Sequence, residues 1–145
     1  MRINLTLGIC LIISTISVSC AAPQKRIQIT QTSADKMEIL EKLQLSLIEL
    51  GYTINFVSEN SGIVTTDWKD ERSGFDRLIS GSGLVHKFTC KLYSFSEGFN
   101  IDISLQIKNN ELEYLMRKNQ KQIINELMIK LKEHVAPNKV KLISI

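Results

Sequence analysis

The chain predicts an α+β fold of two layers, an antiparallel sheet of four to five strands with two helices packed on one face. Three observations carry this. Phe99 to Lys108 alternates strictly, with Phe99, Ile101, Ile103, Leu105 and Ile107 pointing one way and polar residues the other. Two other stretches, Met37 to Leu50 and Leu112 to Leu131, repeat their apolar residues at helical spacing. Short turn-forming clusters separate most of the strand-like runs, as hairpins require.

Taken in order, Ile27 and Ile29 alternate with polar residues in RIQIT and predict a short strand. Thr32 and Ser33 are candidate N-caps for the helix that follows, with Asp35 favourable in its first turn. Met37, Leu40, Leu43, Leu47 and Leu50 form the helix stripe, widened by Ile39 and Ile48, and Gly51 supplies the stop. YTINFV and GIVTTDW, joined through SENSG, read as a hairpin in which Tyr52, Ile54 and Phe56 alternate with Thr53 and Asn55, and Val64, Thr66 and Trp68 share a face. Lys69 to Gly83 reads as a long connection, charged first and then rich in Gly and Ser. LVHKFTCKLYSF is a long strand with Leu84, His86, Phe88, Cys90 and Leu92 on its inner face. The alternating strand at Phe99 follows. A second helix then runs to about Glu133, ended by Pro137, with Leu112, Leu115, Met116, Ile123, Leu127 and Leu131 inward. KVKLISI closes the chain as a short strand, expected at a sheet edge. One covered face and one wet face suit an antiparallel sheet.

The first twenty residues are of another kind. Arg2 is followed by an apolar run without acid or base, the n-region and h-region of a secretory signal. The run is too short to span a bilayer as a helix, which needs about 20 residues. Ile16-Ser17-Val18-Ser19-Cys20 resembles the lipobox of bacterial lipoproteins, although Ser17 stands where that family usually has Leu. The resemblance implies cleavage before Cys20 and acylation of its thiol, with a plain secretory signal as the competing reading. Ala21, where Asp would imply inner-membrane retention, points to the outer membrane. The expected division is a signal peptide over 1–19, a lipidated tether over 20–26 and a single domain over 27–145. The location expected is the outer membrane, lipid-anchored and periplasm-facing.

Removing the signal leaves about 126 residues, enough for one domain with a core. The net charge is +3 and the basic residues are scattered along the chain, so nucleic acid is not an expected partner. Of three cysteines only Cys90 remains once Cys10 and Cys20 are accounted for, so packing must supply the stability.

The stretch from Ser33 to Trp68 also resembles the helix-grip modules of small outer-membrane lipoproteins, such as the C component of the β-barrel assembly machinery. Gly51, Tyr52, Gly62, Ile63, Thr66 and Trp68 are the matching positions. The likeness implies a helix packed on a sheet and no catalytic role. It does not imply barrel assembly, because this chain matches one module and lacks the arm of the larger family member.

No constellation points to a reaction. Two distant histidines and one cysteine lack metal-ligand spacing, so no metal and no cofactor are expected. A Cys90–His86 dyad is excluded, since residues four apart on a strand lie about 13 Å apart. Trp68 is expected to pack. His134 suits a helix C-terminus. The charged connection is the candidate binding site for an envelope protein partner, through Lys69, Asp70, Glu71, Arg72, Phe75 and Arg77. The function expected is a non-catalytic, membrane-anchored binding or assembly module. A carrier of lipid or cell-wall fragments in a helix-covered cavity is the first alternative. A hydrolase using the loop carboxylates is the second.

Overall fold

A computed structural model describes residues 25–30, 32–71, 85–108, 113–135 and 140–144. The elements are β1 Lys25–Thr30, α1 Lys36–Glu49, β2 Ile54–Ser58, β3 Ile63–Thr66, β4 Lys69–Asp70, β5 Val85–Phe95, β6 Gly98–Lys108, α2 Glu113–His134 and β7 Val140–Ser144. The strands form one antiparallel sheet in the order β2-β3-β5-β6-β1-β7, with β4 also paired to β5. The fold is α+β as expected, but the sheet has seven strands rather than four or five. One reason is β4, which falls inside the expected connection. The other is β7, which pairs with β1 from Lys25 to Ile29. Lys25 and Arg26, expected at the end of the tether, are already strand residues paired with Ile103 and Asp102.

Alternation decides which face is covered. Ile27, Ile29, Phe88, Leu92, Ile101 and Ile103 are fully buried on one side of the sheet. Ile39, Leu40, Leu43 and Leu47 of α1 pack there, as do Ile124, Leu127 and Leu131 of α2. Each such side chain removed from water contributes roughly 1.5–3 kcal/mol.

The cap of α1 is Asp35 rather than Thr32 or Ser33. Its carboxylate accepts from the Glu38 N–H at 2.8 Å, while Thr32 Oγ1 accepts from the Ala34 N–H in the preceding turn. The helix ends as its sequence predicts. Gly51, at φ 80°, donates to the Ile48 carbonyl at 2.8 Å, and the Tyr52 N–H donates to the Leu47 carbonyl at 3.0 Å. This is a Schellman motif, in which a glycine takes the left-handed position and the next residue folds back on the last turn. It turns Tyr52 into the core beneath α1.

Two bulges break the alternation of the first hairpin. The β2–β3 register shifts between Ile54 and Phe56, so Phe56 pairs with outward Thr65 and is 53% exposed. Further on, Thr65 faces Thr89 and Lys69 faces His86, four steps along one strand against three along the other. The extra residue inverts the strand, as bulges do. Lys69 therefore turns toward the helices, and Trp68 turns away from them.

Candidate partner-binding corner

The end of the sheet nearest the C-terminus of α1 holds a polar cluster. Tyr52 arrives from the helix cap, Lys69 and Glu71 from β4 and the residue after it, and His86 from β5 opposite Lys69. His86 is fully buried. Its Nδ1 lies 2.7 Å from the Tyr52 hydroxyl, and its Nε2 lies 3.3 Å from Glu71 Oε2. The second contact is within ionic reach but poorly aligned, leaving Nε2 without a hydrogen-bond partner among the described residues.

Burial lowers the pKa of His86, partly opposed by Glu71, so the ring is neutral near pH 7. A carboxylate facing Nε2 favours the tautomer with its proton there, and the Tyr52 hydroxyl then donates to Nδ1. Tyr52 itself stacks edge-on against His86 and Phe88. Its phenol is held protonated, its pKa driven far up by burial and further raised by Glu71.

Lys69 ties this cluster to the helix. Its Nζ donates to the Leu50 carbonyl at 2.8 Å, lies 2.8 Å from Glu71 Oε1 and sits 5.0 Å over the Tyr52 ring. Helix α1 has no basic residue in its own last turn, so β4 supplies the cation that its C-terminus favours. Burial alone would push the Glu71 carboxyl up; Lys69 and His86 outweigh that and hold it below its usual 4.5.

The sequence-predicted site thus divides. Lys69 and Glu71 meet in the cluster, and Asp70, opposite Val85, faces the other side of the sheet. Arg72, Phe75 and Arg77 lie outside the described residues, as does Cys20. Lys69 and Asp70 are strand rather than loop, because β5 extends far enough to pair with them. Tyr52 and His86 were not read as site residues. They stand 34 positions apart, and only the Gly51 cap and the β4 register bring them to one point.

The remaining candidates are structural. Cys90 is fully buried, its thiol pushed up to about 12 by desolvation, which makes it a small apolar group. His134 pairs with Glu49 of α1 at 3.0 Å. Trp68 does not pack inward as expected: the bulge puts it on the outer sheet face, with Lys87 Nζ 5.0 Å and Lys108 Nζ 4.1 Å from its ring centroid. Among the described residues no three His, Cys, Asp or Glu side chains gather as metal ligands, and no helix is long and apolar enough to cross a membrane. No protein-family model matches the chain, and no curated protein matches it significantly.

Proposed function

We propose that the chain is a lipid-anchored, non-catalytic module of the bacterial outer membrane that binds another envelope protein through the corner at Lys69 and Glu71. The observation that carries this is the fixing of that corner from behind. A carboxylate at the surface, Glu71, is gripped by Lys69 and backed by a fully buried histidine. Charged residues in a merely solvated loop need no such backing. Pre-organisation lowers the ordering cost of association, so a corner of this kind suits recognition. The anchoring part rests on the lipobox-like stretch ending at Cys20. The non-catalytic part is supported by the state of the buried groups. The Tyr52 phenol and the Cys90 thiol are both held protonated by desolvation, the wrong direction for an activated nucleophile.

The test is quantitative affinity capture from solubilised envelopes, with the native chain set beside a Glu71→Gln variant. Recovery of a specific envelope protein is expected to fall roughly tenfold, the effect of about 1.4 kcal/mol at an interface. Equal recovery by both chains sinks the corner as the contact. Intact-mass measurement of the mature chain checks the anchor independently, with an acylated Cys20 as the expected first residue.

A further inference from the structure

The second surface is the outer face of the sheet, and here the fold does something that the linear sequence conceals. Lysines and arginines that are scattered along the chain converge on it. Register places Arg26 of β1, Lys87 and Lys91 of β5, Lys108 of β6 and Lys141 of β7 at outward positions. Two acids share the paired outward positions, Asp102 and Asp70. Asp102 is already occupied: Arg26 grips it through two contacts of 2.7 and 3.3 Å, and the Tyr93 hydroxyl donates to it at 3.2 Å. The described side chains of the helix layer balance instead, with Glu38, Glu41 and Glu49 against Lys36 and Lys42 on α1 and Glu126 and Glu133 against Lys121, Lys130 and Lys132 on α2.

Apolar groups stand among the outward cations. Trp68 lies between Lys87 and Lys108. Phe56 and Ile143 are 53% and 38% exposed. Tryptophan with lysine is the pairing found where protein meets the headgroup region, the ring at the interface and the ammonium groups among anionic lipids.

We infer that this basic, aromatic sheet face rests on an anionic bilayer surface, and the inference rests on the proposed acylation of Cys20. Chain geometry supplies the second argument. Five residue steps separate Cys20 from Lys25, which pairs with Ile103 inside the sheet. Fully extended they reach about 18 Å. The field of a charged surface extends about 8 Å at physiological ionic strength. A domain leashed that closely returns continually to the attractive layer, and its basic face is the one drawn there. Held so, the sheet faces the lipid, and the helices and the Lys69–Glu71 corner face away, toward a partner.

Trp68, the only tryptophan, is the probe. The chain isolated from its native membrane is reconstituted in vesicles of phosphatidylcholine alone or enriched in phosphatidylglycerol. Its emission and its quenching by brominated lipids are followed, with intact mass read on the same sample. A blue shift and bromolipid quenching that appear only with phosphatidylglycerol and fade at high salt are expected. Lys91→Gln with Lys141→Gln, both away from the ring and adding no carboxylate beside Asp102, is expected to weaken that response at least about tenfold without moving the unfolding midpoint. An acylated chain whose Trp68 responds equally in both vesicles, or in neither, overturns the inference while leaving the anchor intact. Shielding of Trp68 in native envelopes but not in anionic vesicles assigns the face to a protein and also overturns it. An unacylated mature chain removes the premise of both readings.

Discussion

His86 is a neutral ring in a place where a charge cannot be hydrated, and that sets a pH dependence. Its folded pKa lies below the ordinary 6.5, chiefly through desolvation, so above that value the folded and unfolded states carry the same proton count on this group. As pH falls through 6.5 the unfolded chain takes up the proton first. Stability is therefore full above 6.5 and lost progressively down to the lower folded value. Glu71 acts in the same direction in a separate window, because its folded pKa lies below 4.5 and its contribution goes only as pH falls under that. Urea unfolding midpoints should accordingly decline from neutrality into the upper window. In a Tyr52→Phe, His86→Leu double variant, which removes both ends of the buried hydrogen bond, that upper-window decline should disappear and the lower one remain. A slope unchanged in the double variant would mean that another group controls it. None of this pairing was legible from sequence. The alternation along β5 placed His86 on the inner face and excluded Cys90 as its partner, but alternation speaks only of a strand's own faces. Finding Tyr52 required the depth of the helix cap, and finding Glu71 required the bulge that shifts Lys69 opposite His86.

At the scale of elements, the strands that obey strict alternation were readable and the bulged ones were not. β6 contains no irregularity, and each of its expected inward residues faces the helices. β2 and the β3–β4 path each carry a one-residue slip, and beyond a slip every side chain changes face. Phe56 and Trp68 are on the outer face for that reason. The turn between β2 and β3 was visible as a Gly-bearing cluster, and its glycine has a stricter role than turn propensity suggests. Gly62 has φ 68°, donates to the Glu59 carbonyl, and accepts through its own carbonyl from the Leu92 N–H at 2.7 Å. A methyl group there would stand 2.2 Å from the Leu92 carbonyl oxygen, which is backbone and cannot step aside alone. Gly62→Ala should cost about 1–3 kcal/mol, the order of backbone strain at one residue, read as a lower urea midpoint. Ser61→Ala next to it, exposed and on the same turn, should stay within about 0.5 kcal/mol of the parent. Equal midpoints for the two would show that the turn relaxes freely.

For the whole molecule, two layers were legible because apolar periodicity directly counts faces: two striped helices need one covered sheet. Strand order was not, because it depends on pairings far apart in sequence, such as Arg26 with Asp102. That order has a mechanical consequence. β1, the strand nearest the proposed leash, is paired on one side by β6 and on the other by β7. Tension on a lipid tether would be shared by two ladders, and the terminal strand, not β1, takes the edge. Without β7 the first strand would itself present an open row of N–H and C=O groups, a template for pairing with another copy. Val140 is also nearly fully buried, and Leu142 packs against the core beside it. Truncating the chain before Val140 should therefore lower stability by at least about 2 kcal/mol from lost apolar burial alone. It should also promote self-association that rises with protein concentration. Urea titration measures the first effect and light scattering at matched concentrations the second. A truncated chain that is destabilised but stays monomeric would show that β1 is shielded by some means other than β7. One that keeps the parent midpoint would refute the assignment of β7 as the closing strand.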